Sequence, residues 1–319
     1  MRIFLVLVLT FQLSSANKLI TVHVIGTAQG TTYHITYRSL EGLNYKREID
    51  SILADLDTSL STYIPESIIS RINKNDSTVH ADHHFITVFK KSVEVSERTQ
   101  GLFDVTVAPL INAYGFGFTK RAQLDSITID SLRHLIGYKQ VSLNNGKLIK
   151  SRPEVMLDFN AIAQGYSVDV ICQFLESRNI RNYVVELGGE VRAKGKNDEG
   201  AYWKVGVDEP SSNENRLHTI LSLKNASLAT SGNYKRFYVE NGKRYAHIID
   251  PHTGYPAKHN LLSATVIAPD CMTADAYATA FIVMGIAKTK EFLKKNKDLK
   301  LKVYLIYDEN GIFRTYSSK

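Results

Sequence analysis

The sequence predicts an α+β fold in which mixed and antiparallel sheets pack against helices. Helical-period and strand-period segments are interleaved along the 319 residues without a regular βαβ alternation. Turn signals such as Asn144-Asn145-Gly146 join strand-like runs into hairpins. The glycine fingerprints of the common nucleotide-binding sheets, a Walker A loop or a Rossmann motif after a strand, do not occur.

The elements follow in order. Residues 18–37 hold two β-rich runs around Gly26-Thr27-Ala28-Gln29-Gly30, a hairpin or loop entry. Ile49, Ile52, Leu53, Leu56 and Leu60 recur at helical spacing and predict a helix over 45–60. A second helix over 84–99 turns Phe85, Val88, Phe89 and Val93 inward and exits at Gln100-Gly101. Residues 124–150 predict a short helix and a hairpin. The apolar run 155–159 reads as a buried strand leading through a small-residue turn into a helix over 164–178. Strands are predicted at 183–187, 203–207, 219–223, 237–240, 245–249 and 263–268. Helices over 272–286 and 289–295 and a hairpin at Asp308-Glu309-Asn310-Gly311 complete the pattern.

Composition is that of a globular protein, 44% hydrophobic and 22% charged. The formal net charge of +7 is spread along the chain, and the cluster Lys294, Lys295, Lys297 and Lys300 reads as a solvated helix face rather than a nucleic-acid site. Arg2, the apolar run 3–13 and Ser14-Ser15-Ala16 have the layout of a secretory signal over residues 1–16, with the functional domain over 17–319. An uncleaved N-terminal anchor is the alternative. The expected location is therefore outside the cytoplasm, in a periplasm, with at most peripheral or signal-anchored membrane association. Cys172 and Cys271 can be buried thiols or a disulfide.

Six segments carry polar and glycine residues that the surrounding elements do not need: 101–107, 157–166, 186–190, 230–234, 247–254 and 274–280. Asp275 and Thr279 stand one helical turn apart in a helix otherwise mostly Ala, Val, Ile and Met, so both oxygens leave one face. A carboxylate in such a helix needs a partner or a cation, and hard oxygen donors suit Mg²⁺ or Ca²⁺ rather than Zn²⁺. Backbone N–H groups at Gly188-Gly189 and in the turn 161–165 are candidates to hold phosphate oxygens.

Taken in order, these segments resemble one family, the ApbE flavin transferases. The resemblance runs from Ile25-Gly26-Thr27 to Gly285. It passes through Leu60-Ser61-Thr62-Tyr63, Ser67, Asn73, residues 101–109, Tyr114-Gly115-Phe116-Gly117, and the blocks 158–169, 186–189, 229–234, 247–254 and 274–279. It implies a T-fold-related architecture and Mg²⁺-dependent transfer of FMN from FAD to a Ser or Thr hydroxyl, with release of AMP. The carried-over metal ligands are Asp275, Thr279 and the backbone carbonyl of Ala161. Ile25, Tyr63, Leu102, Phe103, Asp104, Asp158, Gln164 and Ile248 fall at FAD-contacting positions. His247 is the candidate base, with a structural histidine orienting Asp250 as the other reading. The implied partner is a flavin-carrying subunit of an exported electron-transfer complex. An FAD pyrophosphatase using water, or a non-catalytic flavin-binding protein, are the competing functions. Gln164 replaces a Lys of many members, Asn233 stands where Asp is common, and no lipid-anchoring Cys follows the apolar run.

Overall fold

A computed structural model describes residues 18–117, 122, 124–210, 217–233, 237–240 and 243–318, with backbone alone over 237–240 and 243–246. The expected signal over 1–16 and Tyr234 of the hydroxyl-rich segment lie outside the described residues.

Strands β1 (Ile20–Ala28) and β2 (Thr31–Ser39) turn at Gln29-Gly30, whose φ angles of 52° and 74° suit a tight hairpin. The loop expected to begin at Gly26 is still strand. Gly26 faces Tyr33, and a Cβ there would lie 2.4 Å from the tyrosine ring. The helices α1 (Lys46–Leu60), α2 (Ile68–Asn73), α3 (His83–Arg98), α4 (Ala108–Ala113) and α5 (Ser126–Arg133) follow. Next come the hairpin β3 (Val141–Asn144) and β4 (Lys147–Lys150), and α6 (Ala163–Ser177). The rest comprises β5 (Asn182–Leu187), β6 (Glu190–Lys194), β7 (Trp203–Asp208), β8 (Leu217–Leu223), β9 (Ala226–Gly232), β10 (Phe237–Glu240), β11 (Lys243–Ala246), β12 (Leu261–Ala268), α7 (Cys271–Lys295), β13 (Lys302–Glu309) and β14 (Ile312–Ser317).

An eight-stranded sheet runs β1-β2-β5-β6-β9-β12-β13-β14. All its neighbours are antiparallel. The fold is α+β, as expected. Helix α7 lies on β9 and β12 and packs against α6, which in turn covers β5 and β6. The buried side chains Tyr33, Ile35, Tyr183 and Val185 face α1 and α6, where Ile49, Leu53, Ile171 and Leu175 meet them.

Several expectations change, each for a local reason. The run 155–159 is buried but pairs with no strand. Asn73 replaces the ladder: its Oδ1 accepts the Leu157 N–H at 2.8 Å and its Nδ2 donates to the Leu157 carbonyl at 2.8 Å. The Asp158 N–H goes to the Val105 carbonyl at 2.8 Å. An apolar run cannot distinguish these partners from a neighbouring strand. Thr230 to Gly232, expected in a turn, end the central strand β9. The two helices expected after residue 271 form one element kinked at Gly285, where φ is 71° and ψ 173°. The strand expected over 245–249 stops at Ala246, and Ile249 forms an isolated bridge to Pro256.

Candidate active site

The site begins with the close approach of two helices. Asp270 caps α7, accepting the Thr273 N–H at 2.8 Å, and the first turns that follow are almost wholly buried. The start of α6 presses against them at Gly165, where a Cβ would come within 2.5 Å of the Cys271 carbonyl oxygen and 2.8 Å of the Asp275 Cβ. Only glycine permits that spacing. The Gly165 N–H donates to Asp275 Oδ2 at 3.0 Å. Burial pushes the Asp275 carboxyl up to about 7, with the Gly165 N–H opposing the shift.

One turn on, the Thr279 hydroxyl donates to Ser231 Oγ at 3.4 Å, tying α7 to the end of β9. Thr230 Oγ1 lies 2.9 Å from Thr265 Oγ1 on β12. Asp169 of α6 locks the same junction. Its carboxylate accepts the N–H groups of Cys271 and Met272 at 3.0 and 2.8 Å and pairs with Arg192 at 2.5 Å. Burial pushes the Asp169 carboxyl upward against the pull of that guanidinium. Cys172 and Cys271 are free, buried thiols.

These elements wall a cleft of about 330 Å³. The structure brings Leu102, Phe103, Asp104, Asp158, Ala161, Gln164, His247, Ile248, Asp275 and Thr279 to its lining. Ile25 and Tyr63 are not in it. Ile25 stands 61% exposed on β1, and Tyr63 is 56% exposed in the turn after α1. Thr230, Ser231 and Glu190 line the cleft although no individual role was assigned to them. Their signal was the polar segments at 186–190 and 230–234.

The lining residues differ in what holds them. Asp158 Oδ1 accepts the Asn160 N–H at 2.7 Å, a local turn that starts the approach to α6. Asp104, pushed upward by burial, accepts the N–H and O–H of Thr106 at 2.8 and 2.6 Å and the Tyr138 N–H at 2.7 Å. Its bonds thus organise the cleft wall. Gln164 lies beside Gly188, where a Cβ would approach Gln164 Nε2 to 3.1 Å. His247 meets the Phe116 ring edge-on at a centroid distance of 6.2 Å. Asp250 Oδ1 accepts the His252 N–H at 2.8 Å, shaping the turn beyond His247.

Several of the backbone donors expected to cradle phosphate are engaged within the chain. Gly188 N–H donates to the Thr32 carbonyl at 3.1 Å and Gly189 N–H to Glu186 Oε1 at 2.8 Å. The Ile162 and Ala163 N–H groups both go to the Phe159 carbonyl, at 3.0 and 2.8 Å. These glycines close the β5–β6 hairpin, at φ angles of 65° and 108°.

The donor set fits a hard cation. Asp275 supplies a buried carboxylate, Thr279 a hydroxyl from the same helix face, and Ala161 lies in the same lining. Among the described residues, no group of three or more His, Cys, Asp or Glu side chains is placed to hold a metal ion. A site built from one carboxylate, a hydroxyl and a carbonyl does not need such a group.

Residues 29–304 match the ApbE family. The FAD:protein FMN transferase of Haemophilus influenzae is 38% identical over 312 residues, spanning 93% of this chain and 89% of that protein. The fold is similar to the flavin transferase ApbE from Vibrio cholerae, with a TM-score of 0.85 and 34% identity over 94% of this chain and 98% of that one. The apo Pseudomonas stutzeri flavinyl transferase ApbE also gives a TM-score of 0.85, at 30% identity over 95% of this chain and 96% of that one.

Proposed function

This chain belongs to the ApbE family, and on that premise we propose that it is an enzyme transferring FMN from FAD to a Ser or Thr hydroxyl of an acceptor protein. The observation that carries the reading is the convergence of Asp275, Thr279, Ala161, Asp158, Gln164 and His247 on one cleft. In the transfer, the acceptor oxygen bonds to the FMN-side phosphorus and the bond from that phosphorus to the bridging oxygen breaks. AMP leaves with the bridging oxygen. The hydroxyl proton passes to the His247 imidazole, a base suited to neutral pH.

Leu102, Phe103 and Ile248 offer FAD an apolar wall, while Asp158 and Gln164 offer polar contacts. Asp104 holds the wall in shape through Thr106 and Tyr138. Ile25 and Tyr63 would meet whatever part of the dinucleotide extends beyond the cleft. Asp275, Thr279 and the Ala161 carbonyl would hold Mg²⁺, for which the upward shift of the buried Asp275 carboxyl is the physical support. When bound, Mg²⁺ neutralises the diphosphate and stabilises the leaving AMP.

Residues 1–16 support export, and the family resemblance alone suggests the acceptor, a flavin-carrying subunit of an exported electron-transfer complex. Among the described residues no helix is long and apolar enough to cross a membrane.

The test supplies FAD and Mg²⁺ to the chain lacking residues 1–16, with and without an acceptor domain carrying a Ser/Thr-Gly-Ala-Thr segment. AMP release and acceptor mass are followed together. A chelator-sensitive mass gain equal to FMN less one water, the increment of a phosphoester bond, is expected. AMP with free FMN and an unlabelled acceptor would instead favour the pyrophosphatase.

A further inference from the structure

A second cleft of about 420 Å³ opens beside the first, and the two share Asp104 and Pro251 as walls. Its rim carries Glu97, Tyr138, Lys139 and His252. We propose that this cleft receives the acceptor polypeptide, a proposal that rests on the transferase reading above.

The cleft has fixed walls. Asp104 Oδ2 holds the Tyr138 N–H at 2.7 Å, and Thr106 Oγ1 holds the Gly137 N–H at 2.8 Å. On the other side the His252 ring sits 2.9 Å from the Gln100 carbonyl, and Arg133 donates to the His252 carbonyl at 3.1 Å. Gly101 makes that seating possible. Its φ is 81°, and a Cβ there would stand 3.2 Å from His252 Nε2. A groove held from both sides is ready for a ligand without rearrangement.

The reaction needs two entrances. Attack on phosphorus runs roughly in line with the departing oxygen, so acceptor and AMP must occupy opposite sides of the reacting centre. With FAD in the first cleft, the neighbouring one gives a hydroxyl a direct approach. Pro251, on the shared wall, belongs to the same short segment as His247, the proposed base.

The rim chemistry favours a polypeptide over another part of the dinucleotide. Glu97 and Lys139 are both exposed at the cleft. A peptide presents donors, acceptors and side chains of either sign, whereas a phosphate would meet the Glu97 carboxylate. Tyr138 adds an apolar surface, with Lys139 Nζ 5.8 Å from its ring centre.

The test uses Glu97→Lys and Lys139→Glu, exposed positions where charge reversal leaves the core intact. The probe is the acceptor domain with a Ser/Thr-Gly-Ala-Thr segment, titrated at saturating FAD. FAD is then titrated at saturating acceptor. At least one variant should raise the acceptor KM about tenfold or more, while kcat and the KM for FAD stay within twofold. Unchanged acceptor KM in both variants overturns the proposal, as does a matching rise in the KM for FAD, which would assign the cleft to the dinucleotide. A wild-type chain that labels no acceptor overturns the transferase reading and this proposal together. Wild-type transfer with indifferent variants overturns this proposal alone.

Discussion

Gly165 and Asp275 meet at 3.0 Å through a backbone N–H and a carboxylate oxygen, and that contact joins the beginning of α6 to the buried face of α7. It couples helix packing to the proposed metal ligand. Gly165→Ala forces a methyl against the Cys271 carbonyl, 2.5 Å from the new Cβ. We expect a loss of roughly 1–3 kcal/mol of stability by chemical denaturation, as for other overpacked sites, with a larger Mg²⁺ requirement for AMP release. A variant equal to wild type in both measurements would refute the coupling.

Asp275→Ala should abolish Mg²⁺-dependent AMP release. Thermal unfolding gives a readout separate from turnover. Mg²⁺ at a hundredfold excess over its dissociation constant should stabilise wild type by about 2.7 kcal/mol and leave the variant unmoved. An equal Mg²⁺ response in both proteins would remove Asp275 from the metal site.

His247→Ala should slow transfer by roughly 10²–10⁴-fold, the usual range for a positioned acid or base. FAD affinity, read by flavin fluorescence, should hold. Transfer at the wild-type rate would remove His247 as base.

Asn73→Ala strips both partners from the buried Leu157 backbone. Each orphaned group costs about 1–3 kcal/mol, so a clearly lower midpoint in urea is expected. A midpoint within error of wild type would mean that another group or water takes over.

His259 ties stability to pH. Its Nδ1 accepts the Leu261 N–H at 3.2 Å, so its Nε2 carries the proton and donates to the Ile282 carbonyl beside the α7 kink. Burial holds its pKa below the usual 6.5, with backbone hydrogen bonds opposing. A depressed folded-state value stabilises the native form above the unfolded pKa, and the benefit is lost as pH falls through the folded one. Wild type should therefore lose more melting temperature than His259→Gln between pH 7 and pH 5. Parallel curves would rule this out.

The sequence disclosed the helices best, because Ile49, Leu53, Leu56 and Leu60 repeat at helical spacing and all become buried. Asp275 and Thr279 were legible for the same reason, as polar positions in an apolar helix. Strands with polar alternation were harder to see. Glu190, Arg192 and Lys194 disguise β6, and Ala226 to Gly232 has Leu228 as its one bulky side chain and none of the β-branched aliphatic or aromatic residues that usually mark a central strand. Neither the side-chain amide that replaces a ladder at Leu157 nor the internal partners of the Gly188 and Gly189 N–H groups leave a local trace. Those bonds reach across the fold to Asn73 and Thr32, or depend on how the Glu186 side chain turns.

The order in which the cleft receives its parts has a consequence for biosynthesis. Residues 102–104 and 158–164 are made first, whereas Asp275 and Thr279 come from α7, which follows β12. A nascent chain that has not yet produced α7 has no Asp275 carboxylate and no partner for the Gly165 N–H. Chemistry in this cleft is thus deferred until α7 has been made, a delay set by the order of residues along the chain and requiring no inhibitor.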